Sequence, residues 1–245
     1  AAVAAAGLLD CASVVALRGN DLDRDFLLAD RHALIRWSLE RASAVCTVSH
    51  AMARKTRAWT GLDATVVGNG VDPTAFQPVD GAGFRAAHGL EGRVVGMFGE
   101  LKPKRGLQVL AGLDATVLLV GRVRREVEHL VPADAVRVPW LAREALPAAY
   151  AACDVVLQPS LHDGLPNVVL EAMACARPVV ARPVGGMPDV IEHGVTGFLV
   201  DGDDASVWSD AVERAAASEV GRAAREAVPT EDDEADRWEA LLRGL

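Results

Sequence analysis

The sequence is poor in aromatic residues and in lysine, and it contains no long apolar run. Aromatic residues make up 4% of the 245 positions, and lysine occurs only as Lys55, Lys102 and Lys104. No stretch reaches the ~18 uninterrupted apolar residues that a membrane-spanning helix needs. The net charge of −9 argues against a nucleic-acid surface, which requires clustered cations. Membrane spans and nucleic-acid partners are therefore not predicted.

Cysteine and histidine are also sparse and show no pattern typical of metal or redox sites. The four cysteines lack CxxC spacing, and the six histidines show no metal-ligand spacing. We expect the three cysteines that sit in apolar runs to be small buried hydrophobic residues without metal or redox work, and we expect no metal or other cofactor. The Ala-rich start lacks the basic flank of a signal peptide, and the chain has no basic amphipathic helix. We therefore expect a cytoplasmic location, with membrane association unsupported.

Half of the residues are apolar, and they fall into short β-branched runs that alternate with helical patterns. The predicted strands of the larger part are 64–67, 93–99, 115–121, 135–138, 154–160 and 177–181. Helical patterns lie near 104–112, 122–130, 143–152, 167–175 and 186–192. Strands without polar alternation, separated by helices, indicate a parallel sheet buried on both faces. Such a Rossmann-like sheet binds ligands at the carboxyl ends of its strands.

The first sixty residues show a shorter version of the same alternation of predicted strands and helices. Strands are predicted at 13–19 and 44–49, and helices near 29–43 and 50–59. So few units do not easily close a domain, so we expect earlier strands to be missing or supplied by another piece of chain. The absence of an initiator Met agrees with a fragment. The predicted domains are 1–64 (partial), 65–230 and a helix at 231–245, with the Gly- and Pro-rich stretch 68–78 as the joint.

The stretch "HDGLPNVVLEAMA" (162–174) follows the predicted strand 154–160 and leads directly into a helix. Pro166 fits the first turn of this helix, where a missing N–H has no consequence. The free N–H groups from Gly164 to Val168, together with the helix dipole, form an anion site. Asp163 and Glu171 would repel a phosphate unless they bind something else, such as sugar hydroxyls. The pattern therefore suggests a diphosphate between two polyols, a nucleotide-sugar.

A simpler interpretation exists for each acid taken singly. Asp163 could cap the helix, and Glu171 could be an exposed helical residue. Trp140, which follows a predicted strand, is expected in the core, although it could also pack near a nucleotide base. His162 beside Asp163 is given no role.

The spacing of Asp163 and Glu171 resembles the E-x7-E motif of the retaining GT-B glycosyltransferases of family 4, which reads E-G-x-P-N-V-V-L-E-A-M-A. The resemblance also includes "VVGNGVDPTAFQP" (66–78), "AAYAACDVVLQPS" (148–160), "ARPVVA" (176–181) and "PVGGMPDVIEHGVTGFLV" (183–200). It covers residues 45–205. It implies an α/β fold of GT-B type, with a Rossmann-like parallel-sheet domain for the donor and a partial second Rossmann-like domain.

In that family the first acid contacts the donor sugar near the reacting carbon and the second holds the ribose diol. The resemblance thus implies that Asp163 is the catalytic residue. The residues expected to bind the donor are Gly99, Lys104, Arg105, Gly164, Leu165, Asn167, Val168 and Glu171. The implied reaction transfers a sugar from a nucleoside-diphosphate-sugar, with a UDP-sugar favoured, to an unidentified acceptor hydroxyl with retention. It needs no metal, because Lys104 and Arg105 would stabilise the leaving diphosphate.

The sequence departs from the family pattern at several points. Asp163 replaces the usual Glu and is one methylene shorter. Glu100 stands where the family has a phosphate-clamping Arg, with Lys102 and Lys104 as possible replacements. By this resemblance, much of the N-terminal, acceptor-side domain is expected to be missing from this sequence. These departures keep open two alternatives, a non-catalytic nucleotide-sugar-binding remnant and a GT-B sugar-nucleotide epimerase or phosphorylase-like enzyme.

Overall fold

The computed structural model describes residues 2–245 and confirms the predicted α/β class. Two separate parallel sheets are present, one of three strands near the N-terminus and one of six strands after it. The strands are β1 (Val14–Leu17), β2 (Ala44–Thr47), β3 (Thr65–Val66), β4 (Val94–Phe98), β5 (Thr116–Val120), β6 (Val136–Val138), β7 (Val155–Gln158), β8 (Val179–Ala181) and β9 (Phe198–Leu199). The larger sheet has the order β6-β5-β4-β7-β8-β9.

The larger sheet is buried on both faces, and helices pack against both sheets. They are α1 (Ala2–Leu9), α2 (Asn20–Asp23), α3 (Ala29–Arg41), α4 (His50–Thr60), α5 (Ala82–His88), α6 (Leu146–Ala151), α7 (Asn167–Ala174), α8 (Met187–Val190), α9 (Ala205–Ala216), α10 (Val220–Ala227) and α11 (Glu231–Arg243). Along β4, Val94 and Phe98 belong to one buried cluster, whereas Val95 and Met97 belong to another. Successive residues of such a strand face two different cores. Both sets must be apolar, so the strand is a continuous apolar run in the sequence.

Two predicted helices are replaced by short 3-10 segments. Residues 104–112 form two of them, Pro103–Arg105 and Leu107–Gly112, because Gly106 between them is left-handed at φ +69° and packs against the Pro159 carbonyl. Within 122–130 only Arg125–Leu130 is helical. Its start is pulled away by a parallel bridge between Val123 and Leu101. Tertiary pairing of neighbouring loops thus overrides the local helical pattern.

The domain boundary expected after residue 64 is wrong by one strand. β3 pairs in parallel with β2, with Cys46 opposite Thr65 and Thr47 opposite Val66. Residues 65–66 therefore complete the first sheet instead of starting the second domain. The apolar character of 64–67 is equally consistent with either sheet, so only the pairing decides.

The C-terminal helix α11 is tied to the joint between the two sheets. Val71 forms a parallel bridge with Thr230, and the Gly70 N–H donates to Glu234 at 2.7 Å. Thr230 caps α11: its hydroxyl accepts from the Asp233 N–H, and the Asp233 carboxylate accepts from the Thr230 N–H. The chain thus returns from the larger domain to the linker and closes on it.

We expect Thr230→Ala to lower the free energy of unfolding by about 1 kcal/mol, because the first turn of α11 loses its side-chain acceptor. Urea denaturation followed by circular dichroism measures this as a lower midpoint. Asp236→Ala is the matched control, since Asp236 is exposed on the same helix beyond the capped turn. It should leave the midpoint unchanged or slightly higher, because Ala is the better helix former. Equal losses in both variants would contradict the capping role.

The structure also shows where the cysteines lie and whether a helix could span a bilayer. Cys46, Cys153 and Cys175 are buried free thiols, as expected from their apolar surroundings, whereas Cys11 is exposed. Burial raises the pKa of the Cys153 thiol to about 12. Across residues 2–245, no helix is long and apolar enough to cross a membrane.

Candidate active site

The loop from His162 to Pro166 lies where the carboxyl end of β7 meets the start of α7. Gly164 sits on one side against the carbonyl of Arg18, the residue that follows β1. On the other side its own carbonyl accepts from the Gly186 N–H at 2.5 Å. The loop is therefore held between the two domains at the ligand edge of the larger sheet, as the order of strands and helices predicts.

Asp163 faces the two cations of the loop after β4. Its Oδ1 lies 3.5 Å from Lys104 Nζ, and its Oδ2 lies 3.8 Å from Arg105 Nη1. All three side chains are largely buried, with exposed fractions of 19%, 18% and 7%. One negative and two positive charges share a desolvated space, which leaves one net positive charge. Such a cluster is suited to an incoming anion.

Arg105 is held as a rigid donor. Its Nη2 donates to the Phe98 carbonyl at 2.5 Å, whereas its buried Nε has no hydrogen-bond partner. Burial lowers the pKa of the Arg105 guanidinium, and the nearby Asp163 carboxylate opposes that shift. An unsatisfied buried N–H on a charged group is costly, which favours a ligand oxygen at this point.

The start of α7 presents free N–H groups beside this cluster. The N–H groups of Leu165, Asn167 and Val168 donate to no acceptor in the described part of the chain. Pro166 is the N-cap residue and offers no side-chain acceptor, so Asp163 does not cap the helix. Asp163 instead accepts from the Gly164 N–H at 3.1 Å. The simpler interpretation of Asp163 as a helix cap is therefore wrong.

Glu171, one turn further along α7, is half-buried rather than exposed. Its Oε2 accepts a 2.6 Å hydrogen bond from the Tyr150 hydroxyl. Burial raises the pKa of Glu171, while the Tyr150 hydrogen bond and the charge of Arg143 act in the opposite direction. Glu171 lines a cleft of about 370 Å³ together with Gly99 and Val168.

Trp140 lies at the mouth of the same cleft. Its side chain is 76% exposed, so the expectation of a core tryptophan is wrong. The loop after β6 projects it from the carboxyl edge of the sheet, beyond the apolar contacts that would bury it. Its position after a strand was the only sequence signal for a ligand role, and that signal is also compatible with a core residue.

Glu100, at the position where the family pattern has an arginine, is paired with two cationic side chains. Its carboxylate pairs with Arg124 at 2.7 Å and with Lys102 at 3.3 Å. The pKa of Glu100 is lowered, chiefly by its hydrogen bond with Arg124. Lys102 is thereby drawn to Glu100 and does not join the pair at Asp163. Of the two lysines considered as replacements for the arginine, Lys104 alone reaches that cluster.

Asn69 links the joint to the start of α7, and sequence reasoning did not single it out. It is buried, and its Nδ2 donates to the Leu165 carbonyl and to Asn167 Oδ1, both at 2.8 Å. Arg18 Nη2 in turn donates to Asn69 Oδ1 at 2.6 Å. A second link between the N-terminal part and the larger domain is the hydrogen bond from the His50 N–H to the Asp189 carboxylate at 2.8 Å.

The structure brings the predicted site residues to one edge of the larger sheet. They lie on the loop after β4, on the loop after β7 and on the first two turns of α7: Gly99, Lys104, Arg105, Asp163, Gly164, Leu165, Asn167, Val168 and Glu171. This shared location follows from parallel topology, which places the carboxyl ends of β4 and β7 side by side. Their roles toward a ligand remain predictions.

Comparison with known proteins agrees with this architecture. The family model described as "Glycosyl transferases group 1" matches residues 92–218, and the one described as "Glycosyltransferase Family 4" matches residues 1–75. An architecture with two parallel sheets of this kind belongs to the GT-B class of fold. The chain belongs to the group 1, family 4 glycosyltransferases.

Similar solved structures share the fold at low sequence identity. The crystal structure of Anabaena Alr3699/HepE in complex with UDP and glucose matches with a TM-score of 0.81 at 22% identity, covering 98% of this chain and 73% of that one. Sucrose-phosphate synthase from Thermosynechococcus elongatus matches with a TM-score of 0.80 at 23% identity, covering 94% and 67%.

A relative in sequence is the D-inositol 3-phosphate glycosyltransferase of Mycobacterium sp. (strain KMS). It is 38% identical over 167 residues, which cover 60% of this chain and 38% of the relative. The matched region thus spans about two-fifths of that curated protein's length.

Proposed function

We propose that this chain binds a nucleoside-diphosphate-sugar, with UDP as the favoured carrier, and transfers the sugar to an acceptor hydroxyl with retention of anomeric configuration. The observation that carries the proposal is the cation pair Lys104 and Arg105, placed beside the free N–H groups at the start of α7. The UDP complexes of the Anabaena protein support the choice of base.

The diphosphate is assigned to the space between the cation pair and α7. Arg105 Nε and the N–H groups of Leu165, Asn167 and Val168 all lack acceptors in the described part of the chain. Fixed donors and cations that need no reorganisation are what stabilises charge developing on a leaving group. We assign this role to Lys104 and Arg105 rather than to a metal ion, and chelators are expected not to change the activity.

The nucleoside is assigned to the cleft that Glu171 lines. A carboxylate accepts two hydrogen bonds from a ribose diol, and the exposed Trp140 ring at the mouth offers a face for the base. The ribose then lies between the base and the diphosphate, as the covalent order of a nucleotide requires.

The sugar is assigned to the side of Asp163. As the bond between the anomeric carbon and the phosphate oxygen breaks, its electron pair leaves with the diphosphate beside Arg105 and Lys104. The acceptor oxygen bonds to the anomeric carbon on the same face, and its proton passes to the departing phosphate oxygen. Asp163, one methylene shorter than the family's Glu, contacts the sugar and takes no covalent part. The remaining work of the protein is orientation of the two substrates.

Calorimetric titration of the chain with UDP and with GDP tests the proposal. We expect saturable binding of UDP, weakened at least tenfold by Arg105→Ala and by Glu171→Ala, since each loses a charge-assisted contact. Arg222→Ala and Glu226→Ala are the matched controls, because these residues pair with each other on the exposed face of α10. The anomer first released when UDP-glucose is hydrolysed, read by proton NMR, reports retention.

A folded chain that binds neither nucleotide would contradict the donor site. Binding without any turnover of a nucleotide-sugar, in the full-length protein and with a range of acceptors, would instead favour the non-catalytic alternative.

A further inference from the structure

Tyr150, the only tyrosine of the chain, is held rigidly beneath the cleft. It lies on α6 and is fully buried. Its ring stacks on Phe98, with centroids 4.1 Å apart and planes 25° apart, and meets Phe76 edge-on at 6.3 Å. Contacts on two sides fix the direction of the C–O bond, because a change of the side-chain rotamer at χ1, which would re-aim that bond, would lose them.

The hydroxyl of Tyr150 points at one oxygen of Glu171. The hydrogen bond to Oε2 is 2.6 Å, a length typical of an O–H donor on a charged carboxylate. No described residue donates to Oε1, and Glu171 lines the cleft. The carboxylate is therefore anchored through one oxygen and left with acceptor capacity on the other.

From this geometry we propose that Tyr150 is a positioning residue for the donor: it orients Glu171 for the ribose and keeps that carboxylate in its charged form. The proposal rests on the donor site proposed above and goes beyond it, because it assigns Tyr150, which lines the same cleft, a role that acts through Glu171. A buried tyrosine that merely needed an acceptor would affect folding but not the pH range of nucleotide binding.

The surroundings of Glu171 make its charge sensitive to this one bond. Burial raises its pKa, and the Tyr150 hydrogen bond and Arg143 lower it. The titratable and charged groups that act on Glu171 and Tyr150 or share the cleft are Arg105, Glu100, Arg122, Arg143, Cys153 and Cys175. Burial also raises the pKa of the Tyr150 hydroxyl well above its usual value, so it stays a donor at neutral pH.

UDP affinity is expected to depend on pH through the protonation of Glu171. Ribose binding needs the Glu171 carboxylate charged, so affinity is full above its pKa and is lost as the pH falls through it. Tyr150→Phe keeps the ring but removes the donor that favours the charged form. The pKa then rises, and the loss of affinity begins at a higher pH, by about one unit for a hydrogen bond to a charged group.

The experiment is calorimetric titration with UDP between pH 5 and pH 8 for the wild-type chain, Tyr150→Phe, Glu171→Gln and the double variant. Glu171→Gln serves as the reference, because it removes this titration and leaves that of the UDP phosphate. We expect the acid limb of UDP affinity to move up by about one pH unit in Tyr150→Phe. The double variant should match Glu171→Gln alone, since the effect passes through the carboxylate.

Repeating the titrations with 2′-deoxy-UDP separates orientation from general packing. Without the 2′-hydroxyl, Tyr150→Phe should lower affinity much less than it does with UDP. Phe98→Leu removes the stacking contact that holds the Tyr150 ring but keeps the Tyr150 hydroxyl. It should shift the pH dependence of UDP affinity in the same direction by a smaller amount. This variant replaces Tyr150→Phe if Tyr150→Phe does not fold.

The possible results separate the role of Tyr150 from the existence of the donor site. An unchanged pH profile in folded Tyr150→Phe, with wild-type UDP binding intact, overturns the positioning role and leaves the donor site standing. A wild-type chain that binds no nucleotide overturns both proposals.

Discussion

Asp163→Asn is expected to lower sugar transfer strongly while tightening the binding of UDP. The carboxylate pairs with Lys104 and Arg105, so it competes with the diphosphate for these cations. Removing its charge should improve the UDP dissociation constant about threefold, near 0.7 kcal/mol for a partly buried pair. Loss of the contact near the reacting carbon should lower turnover of the nucleotide-sugar by about 100-fold.

The measurement pairs calorimetry with UDP and a turnover assay with the nucleotide-sugar. Asp63→Asn is the matched control, because Asp63 is an exposed partner of Arg57 and makes the same change of charge outside the site. Asp163→Glu, which restores the family's residue, should retain turnover. Weaker binding of UDP in Asp163→Asn would show that the carboxylate orders the cations for the diphosphate rather than competing with it, and would contradict this prediction.

Gly185→Ala is expected to disrupt the donor site far more than the same change at Gly194. Both glycines have a left-handed backbone conformation, at φ +58° and +78°. A side chain at either position therefore lowers the stability of the fold by about 1 kcal/mol. A Cβ at Gly185 would also overlap the carbonyl oxygens of Asp163 and Gly164, whereas a Cβ at Gly194 would meet open space. The loop that carries Asp163 must then move.

UDP affinity should fall at least tenfold in Gly185→Ala and stay within twofold of the wild type in Gly194→Ala. The added overlap in a packed region is worth a further 1–3 kcal/mol or so, and thermal unfolding should show the larger loss of stability at Gly185. Equal effects of the two substitutions on UDP affinity would mean that the contact between the loops after β7 and β8 does not shape the site.

Glu100, which stands where the family pattern has an arginine, lies between two loops that balance its charge. The loops after β4 and β5 are joined by backbone hydrogen bonds, from the Leu101 N–H to the Arg122 carbonyl and from the Arg124 N–H to the Leu101 carbonyl. This pairing places Arg124 beside Glu100, whose charge is then balanced by Arg124 and Lys102. An unpaired carboxylate here would repel a diphosphate, and the two loops together prevent that.

Local patterns in the sequence determined the class of fold and the edge of the sheet where the site lies. β-Branched runs without polar alternation predicted the strands of a parallel sheet, because a strand buried on both faces has no polar side. Parallel topology then placed the loops around Lys104 and Asp163 on one edge. The spacing of Asp163 and Glu171 indicated the family, since it is carried by one loop and one helix.

The tertiary structure alone decided what those side chains contact. The pairs of Asp163 with Lys104 and Arg105, of Glu171 with Tyr150, and of Glu100 with Arg124 join segments whose approach depends on loop packing that no local pattern encodes. The same holds for the exposure of Trp140 and for the membership of β3 in the first sheet. Short-range periodicity reports burial and secondary structure, whereas the charge balance of a site is set by contacts between residues distant in sequence.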